Sequence, residues 1–198
     1  ENLIIVYGRE AFAAGTPLLQ ALGNLLLITG HVGKAGSGVL PILRYNNSRG
    51  ALDMGVRPDR GPGYTNVVKH GMTAAQMLQA AANGKLRALY IAGLDPVAAN
   101  PAAKPAIDKA DFVIVQDLFL TPTAQLADVV LPAASFAERD GTYTNAERRV
   151  QRFRAARNAY GESRADWRIF AALGQALAQM MPAPVAAAVS TTSKKQTS

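Results

Sequence analysis

Residues 86–132 decide the fold, and they read LRALYIAGLDPVAANPAAKPAIDKADFVIVQDLFLTPTAQLADVVLP. Three apolar runs within this stretch are typical of buried strands: residues 86–92, 112–115 and 128–132. Between them, Asn100-Pro101 and Thr121-Pro122 each join a residue that caps free N–H groups to a proline, which tolerates the first helical turn. Strands that alternate with helices predict βαβ units and a mostly parallel sheet with right-handed crossovers.

The segments before this stretch continue the alternation. Leu3–Tyr7 is an apolar, strand-like run, and Thr16-Pro17 then predicts the beginning of a helix with Thr16 as its cap. Thr73, with Gln76 three residues on, has the spacing of a capping box at the start of another helix. The predicted fold class is therefore α/β, a Rossmann-like, mostly parallel sheet flanked by helices, with a small extended segment and a C-terminal helix.

The predicted domain organisation is one α/β domain over residues 1–132, followed by an extended segment and a helix over residues 133–181. Glycines and prolines punctuate residues 30–64, which predicts a long ordered loop within the first domain. Further along, residues 142–145 and 150–153 are predicted to be extended segments on either side of a turn.

The C-terminal helix is predicted to begin with Ser163 as its cap and Asp166 at the third position. Its apolar residues follow the helical period and are expected to pack in the core: Trp167, Phe170, Leu173, Leu177 and Met181. Residues 182–198 have no such periodicity, and we expect a flexible tail there.

The composition excludes several kinds of site. The 198 residues include no cysteine, so the chain can supply no thiolate to an iron–sulfur cluster, a zinc ion or a nucleophilic reaction. The two histidines, His31 and His70, lie far apart in sequence without a carboxylate at metal-ligand spacing, so we predict no metal ligand and no catalytic residue. No apolar run is long enough to span a bilayer. Because Glu1 leads almost directly into a strand, whereas natural termini usually fray first, we expect the chain to be a piece of a longer protein.

The net charge of +7 has a local source in five arginines that fall within ten residues: Arg148, Arg149, Arg152, Arg154 and Arg157. Nucleic acids are bound through clusters of this kind, because cations neutralise phosphates. The run contains no lysine, offers only Phe153 for stacking and matches no recognisable nucleic-acid-binding motif. A solvated or partner-facing arginine strand is therefore favoured, and no nucleic acid is expected as a partner.

The carboxyl ends of the predicted strands are the natural place to look for a ligand site. In open α/β sheets, ligands bind beyond these ends. Gly8, Gly93 and Asp117 each follow or end a predicted strand. Their position alone makes them candidates, although glycine and aspartate also end strands that bind nothing.

Several motifs resemble one family. The run from Thr121 to Glu138 (TPTAQLADVVLPAASFAE) resembles a signature of bacterial molybdopterin oxidoreductases, and DGTYTNAERRVQ (residues 140–151) continues it. NNSRGALDMG (residues 46–55) and the following PGY (residues 62–64) resemble both formate dehydrogenases and the large subunits of respiratory complex I. The resemblance covers residues 3 to about 180 and implies membership of the molybdopterin oxidoreductase superfamily.

Two positions bear on which branch of the superfamily the chain belongs to. In formate dehydrogenases the segment that matches residues 43–45 typically reads Arg-Gly-Gln, and its Arg and Gln face the metal and the substrate. Here Leu43 and Tyr45 take those places, and an aliphatic side chain cannot bind a carboxylate as a guanidinium does. Arg44 is one position away and would not simply substitute. The resemblance therefore implies that the chain is part of the large peripheral subunit of NADH-quinone oxidoreductase (complex I), in which metal chemistry has been lost.

A formate dehydrogenase remains the alternative, because Glu147-Arg148-Arg149 resembles those enzymes more closely than complex I subunits. The complex I interpretation implies a structural region that supports electron transfer from NADH to quinone, with no cofactor in this segment and iron–sulfur clusters in an N-terminal region absent here. It also implies other respiratory subunits as partners, peripheral membrane association and a location at the cytoplasmic face of the inner membrane. The alternative implies molybdopterin guanine dinucleotide as cofactor.

The resemblance also suggests where a cofactor pocket would lie. Gly93-Leu94-Asp95-Pro96 resembles the turn that holds the guanine-nucleotide end of the pterin cofactor in relatives. Strand ends supply N–H and carboxylate partners for a nucleobase and its phosphates. If the pocket persists, the implied cofactor-binding residues are Gly93, Asp95, Pro96, Asp117, Thr121 and Thr123.

Overall fold

The computed structural model describes residues 1–43 and 45–180. The described residues divide into two compact units: residues 1–86 with 140–155 form the first, and residues 87–139 with 156–180 form the second. This division differs from the predicted boundary at residue 132, since the extended segment belongs to the first unit and the C-terminal helix to the second. The predicted α/β class is confirmed, with parallel sheets accompanied by helices in the described residues.

The first unit begins with a parallel pair of strands, β1 (Ile4–Tyr7) and β2 (Gly38–Pro41), in which Ile4 is the partner of Gly38. Helices α1 (Arg9–Ala13) and α2 (Thr16–Ile28) connect the two strands. The predicted cap at Thr16 is wrong: Gly15 occupies the cap position without a side-chain hydrogen bond, and Thr16 is the first helical residue.

The stretch predicted as a long loop, residues 30–64, contains regular structure. Besides β2 it holds α3 (Ser48–Asp53) and a 3-10 turn (Pro62–Tyr64). The prediction failed because dense glycines conceal a four-residue strand, whose partner β1 lies far away in sequence. Helix α4 (Ala74–Ala82) follows, and its predicted capping box between Thr73 and Gln76 is confirmed.

The remaining part of the first unit is an antiparallel hairpin of β6 (Gly141–Thr144) and β7 (Val150–Phe153), as predicted. The rings of Tyr143 and Phe153 stack, with their centroids 4.8 Å apart. Asn47 Oδ1 accepts a 2.9 Å hydrogen bond from the backbone N–H of Thr144, which ties the start of α3 to the hairpin.

The second unit is built on a parallel sheet in the order β3-β4-β5. The strands are β3 (Ala88–Ala92), β4 (Phe112–Asp117) and β5 (Val129–Pro132), with α5 (Pro96–Ala99), a 3-10 turn (Pro101–Ala103) and α6 (Lys104–Lys109) between the first two. Asn100 accepts from the N–H of Ala102 and so caps the 3-10 turn that leads into α6. The core is made of small and branched apolar side chains, among them Ile107, Val113, Val115, Ala106 and Ala124.

Helix α7 (Asp166–Met180) covers the face of the sheet that carries Tyr90 and Gln116. The predicted core stripe is wrong in part, because Trp167, Phe170 and Leu177 are 59%, 47% and 48% exposed. The buried position is Ile169, so the inward face is rotated from the predicted one. Ser163 does not cap α7 as predicted; its hydroxyl donates to the carbonyl of Tyr160.

Met181 and the predicted flexible tail, residues 182–198, lie outside the described residues. Within residues 1–43 and 45–180, no helix combines the length and the apolar character needed to cross a bilayer.

Candidate functional site

The structure brings Gly93 and Asp117 together at the carboxyl edge of the β3-β4-β5 sheet. Gly93 directly follows β3, and Asp117 is the last residue of β4. The two strands are parallel neighbours with Ala92 opposite Gln116, and the N–H of Gly93 donates to the carbonyl of Gln116 over 2.9 Å. Gly8, the third residue named by its position, belongs to the first unit.

Gly93 gives this edge an open stretch of backbone. Its φ of +62° lies in the left-handed region that glycine adopts without steric cost. A Cβ atom at this position would meet no heavy atom within 4 Å, so the space above the turn is free. Leu94, which follows, is 44% exposed. A ligand can therefore approach the backbone of this turn closely.

The side chain of Asp95 accepts hydrogen bonds from other groups of the protein. Its Oδ1 accepts hydrogen bonds from Thr123 Oγ1 at 2.5 Å, from the N–H of Ala98 at 3.0 Å and from the N–H of Thr123 at 3.3 Å. Partial burial acts to raise the pKa of Asp95, but the hydrogen bonds, led by that from the Thr123 hydroxyl, outweigh it and hold the pKa below its usual value. The carboxylate thus caps α5 and fastens the loop after β4.

Thr123 and Pro96 complete this internal brace. Thr123 has no exposed surface, and its Oγ1 accepts from the N–H of Val97 at 3.1 Å while donating to Asp95. Pro96 is buried in the first turn of α5. Asp95, Pro96 and Thr123 were predicted to bind a cofactor. In the structure, Asp95 and Thr123 are hydrogen-bonded to other groups of the protein, and Pro96 is buried. Their contact with a cofactor stays a prediction.

Asp117 and Thr121 lie at either end of an exposed apolar loop. Asp117 Oδ1 accepts from the N–H of Leu118 at 2.7 Å, and Thr121 Oγ1 accepts from the N–H of Ala124 at 3.2 Å. Between them, Phe119 is 75% exposed. A carboxylate offers about four lone-pair sites, so the adjacent backbone N–H leaves Asp117 with acceptor capacity for a ligand.

A second polar cluster behind this edge was not predicted. The hydroxyl of Tyr90 donates to Gln116 Oε1, Gln116 Nε2 donates to Asp166 Oδ1 at 2.7 Å, and Arg139 donates to Asp166 Oδ2. Gln116 is fully buried. The signal in the sequence was a lone amide within an otherwise apolar strand, since a buried polar residue needs partners.

The arginine run lies at the surface, with all five side chains exposed. Within the first unit, Arg149 is 3.3 Å from Glu147 and Arg152 is 3.6 Å from Asp140. Within the second unit, Arg157 is 3.4 Å from Glu138. In the part of the chain that the structure describes, no three His, Asp or Glu side chains are grouped to hold a metal ion.

The chain belongs to the molybdopterin oxidoreductase family, whose sequence model matches residues 1–176. It is 42% identical over 195 residues to the F420-dependent formate dehydrogenase subunit alpha of Methanocaldococcus jannaschii, a match that covers 89% of this chain and 29% of that protein. It is 38% identical over 197 residues to the F420-dependent formate dehydrogenase 1 subunit alpha of Methanococcus maripaludis, covering 90% and 29%. The chain thus spans less than a third of the length of these relatives.

Among solved structures, acetylene hydratase from Pelobacter acetylenicus matches with a TM-score of 0.45 and 25% sequence identity, over 54% of this chain and 16% of that one.

The predicted assignment to a complex I subunit is wrong, because the similar proteins are alpha subunits of formate dehydrogenases. The assignment rested chiefly on Leu43 and Tyr45, together with the absence of cysteine. Identity spread over 195 residues outweighs them. Glu147-Arg148-Arg149 was the feature that had favoured the alternative, a formate dehydrogenase.

Proposed function

We propose that this chain is a region of the cofactor-carrying subunit of a formate dehydrogenase-type oxidoreductase. We further propose that the carboxyl edge of its β3-β4-β5 sheet holds the guanine-nucleotide end of a molybdopterin cofactor. The observation that carries the proposal is the 38–42% identity with three formate dehydrogenase alpha subunits over 88–90% of the chain. The earlier expectation that this segment binds no cofactor is replaced by this proposal.

The chemistry of the edge fits a guanine nucleotide. Guanine presents N–H donors on one side of its ring, and the Asp117 carboxylate has the free acceptor capacity to receive them. The open backbone at Gly93 leaves room for the ribose and phosphate part of a nucleotide to lie against the turn. Thr121 is half-buried and lies at the end of the loop that follows β4, at the same edge of the sheet.

Asp95, Pro96 and Thr123 have a different part in this proposal. Their side chains hold the loops after β3 and β4 against each other, so they set the shape of the edge on which the nucleotide lies. The pterin, when bound, supplies the metal at which two electrons leave the substrate. Gly93, Asp117 and Thr121 bind and orient its nucleotide end.

The proposal also concerns partners. Relatives that are called alpha subunits assemble with other subunits, and we propose the same for the full protein. Within the first unit, exposed arginines offer a basic surface that an acidic partner would fit: Arg148, Arg149, Arg152 and Arg154. The location at the cytoplasmic face of the inner membrane was implied by the complex I interpretation and stays a prediction.

The test uses the full-length protein, with cofactor content and formate oxidation measured separately. We expect about one molybdenum or tungsten atom per subunit and guanine nucleotide released on denaturation, together with formate-dependent reduction of an artificial electron acceptor. Absence of metal and guanine nucleotide would overturn the proposal. Separate measurements are needed because Leu43 and the 61% exposed Tyr45 stand where the resemblance implies Arg and Gln in formate dehydrogenases. Cofactor without formate oxidation would retain the nucleotide site and reject formate as the substrate.

A further inference from the structure

A fully buried amide lies directly behind the proposed nucleotide edge. Gln116 is the penultimate residue of β4 and has no exposed surface. Burying an amide costs free energy unless its donors and acceptors are paired. Here the Tyr90 hydroxyl donates to Oε1, and Nε2 donates to Asp166 Oδ1 over 2.7 Å. The side chain is therefore held at both ends, by β3 on one side and by α7 on the other.

The partners allow only one orientation of this amide. The Asp166 carboxylate accepts hydrogen bonds and donates none, so the NH₂ end must face it. Arg139, next to the 3-10 turn Phe136–Glu138, donates to the other oxygen of Asp166 and keeps that carboxylate in place. Burial, and to a smaller extent Asp166, raises the pKa of Tyr90, so the phenol keeps the proton that it donates to Oε1.

The backbone of the same residue meets the edge itself. The carbonyl of Gln116 accepts from the N–H of Gly93 at 2.9 Å, and the next residue is Asp117. Any shift of Gln116 therefore moves both features on which the proposed nucleotide contact depends, the Gly93 turn and the Asp117 carboxylate.

We propose that Gln116 is a positioning residue for nucleotide binding, which sets the Gly93 turn and Asp117 through its hydrogen bonds to Tyr90 and Asp166. This inference rests on the proposed function of the edge. Because Gln116 is fully buried, it acts through its neighbours and does not touch the ligand.

The decisive variant is Gln116→Glu in the full-length holoenzyme. When protonated, the introduced carboxyl has the same two roles as the amide: its O–H donates to Asp166 and its carbonyl accepts from Tyr90. Burial and the adjacent Asp166 carboxylate raise the pKa of the introduced group, so it is neutral in mild acid and charged in mild base. This pH dependence ties the effect to the hydrogen bonds and charge of residue 116, because a loss caused only by the size or packing of the side chain would not respond to protons.

The measurement is the rate at which the cofactor leaves the holoenzyme, followed through its guanine nucleotide, at about pH 5.5 and about pH 8.5. We expect Gln116→Glu to release it about tenfold faster than wild type at the higher pH, because hydrogen bonds to a charged group are lost. At the lower pH it should match wild type. Gln116→Met should release it faster at both values. Gln175→Glu, the same change at an exposed position of α7, should behave as wild type throughout.

The outcomes separate this inference from the function on which it rests. Gln116→Glu rates that equal wild type at both pH values, or that are raised equally at both, would reject the positioning role and leave the proposed function intact. Failure to prepare Gln116→Glu with bound nucleotide at the lower pH would likewise reject the positioning role and leave the proposed function intact. A wild-type holoenzyme without guanine nucleotide would instead overturn the proposed function. If Gln116→Met fails to fold, the pH comparison of Gln116→Glu still decides.

Discussion

The Thr123 hydroxyl donates a 2.5 Å hydrogen bond to Asp95 Oδ1, joining two loops whose residues are 28 positions apart in sequence. The same hydroxyl accepts from the N–H of Val97, so one buried side chain links the turn after β3, the start of α5 and the loop after β4. A second hydrogen bond, from the backbone N–H of Thr123 to the same Asp95 Oδ1 at 3.3 Å, joins the same two loops. The shape of the candidate site should therefore depend on Thr123, although Thr123 itself is fully buried.

Replacing Thr123 with valine tests this bond. Valine keeps the shape but removes the hydroxyl, so the part-buried N–H of Val97 loses the Thr123 oxygen and Asp95 Oδ1 loses its hydroxyl donor. We expect the free energy of unfolding to fall by about 1–3 kcal/mol in urea titrations. Thr123→Ser is the matched control, because it keeps the hydroxyl and loses one methyl group, at a cost of about 1 kcal/mol. A valine variant at least as stable as the serine variant would contradict a structural role for the hydrogen bond.

The lowered pKa of Asp95 predicts how stability depends on pH. A carboxyl whose pKa is lower in the folded state stabilises the fold only when it is ionised. Its contribution is complete above the unfolded-state pKa of about 3.9 and is lost as the pH falls through the lower, folded-state pKa. We therefore expect Asp95→Asn to be less stable than wild type near neutral pH, with the difference shrinking in acid. A difference that stays constant from neutral to strongly acidic pH would contradict this.

A side chain at position 93 should lower the free energy of unfolding because of the backbone conformation there, and not because space is lacking. The φ of +62° at Gly93 costs about 1–2 kcal/mol for an alanine, while the added Cβ would meet no atom within 4 Å. Gly93→Ala should thus lower the free energy of unfolding by that amount. Gly174→Ala, in the exposed face of α7 and equally free of steric contact, should raise it by about 0.5–1 kcal/mol. Equal changes in the free energy of unfolding for the two variants would show that the turn accepts alanine without the cost expected at a positive φ.

In the hairpin, Gly141 is required because of its cross-strand partner. A Cβ at Gly141 would lie 2.5 Å from the ring of Phe153, which is directly opposite in the register. Gly141→Ala should destabilise the first unit by about 1–3 kcal/mol through overpacking. Adding Phe153→Leu should recover part of that loss, since the smaller side chain relieves the clash. The measurement is a double-mutant cycle of unfolding free energies, and strictly additive effects would argue against the contact.

Whether an element could be predicted from the sequence depends on how many residues separate its interacting partners along the chain. The strands of the second unit were predictable because each is an uninterrupted apolar run beside a helix signal, and the Thr73 cap was predictable because its partner, Gln76, is three residues away. Strand β2 was not predictable, because it is short and lies among glycines. Its partner β1 lies 34 residues earlier in the chain, as the pairing of Ile4 with Gly38 shows.

The candidate site shows the same limit. Gly93 and Asp117 were found by their position at strand ends, a rule that needs no tertiary detail. The cluster of Tyr90, Gln116 and Asp166 depends on side chains 26 and 50 residues apart, and only the packing of α7 on the sheet brings them together. The inward face of α7 was mispredicted for a related reason: its apolar residues surround the helix, so periodicity alone does not select one side.

Helix α7 supplies a direct comparison of an exposed and a buried apolar residue. Trp167 is 59% exposed although its spacing predicts a core position, whereas Ile169 is 8% exposed. Ile169→Ala should lower the free energy of unfolding by about 2–5 kcal/mol, because it leaves a cavity. Trp167→Ala should cost much less, despite removing a larger side chain, since more than half of its surface is already in contact with water. Both values can be read from urea unfolding followed by far-ultraviolet circular dichroism, a signal that does not require tryptophan. If Trp167→Ala proved the more costly of the two, the solvent exposure of the indole would not govern its contribution to stability, and the prediction would be wrong.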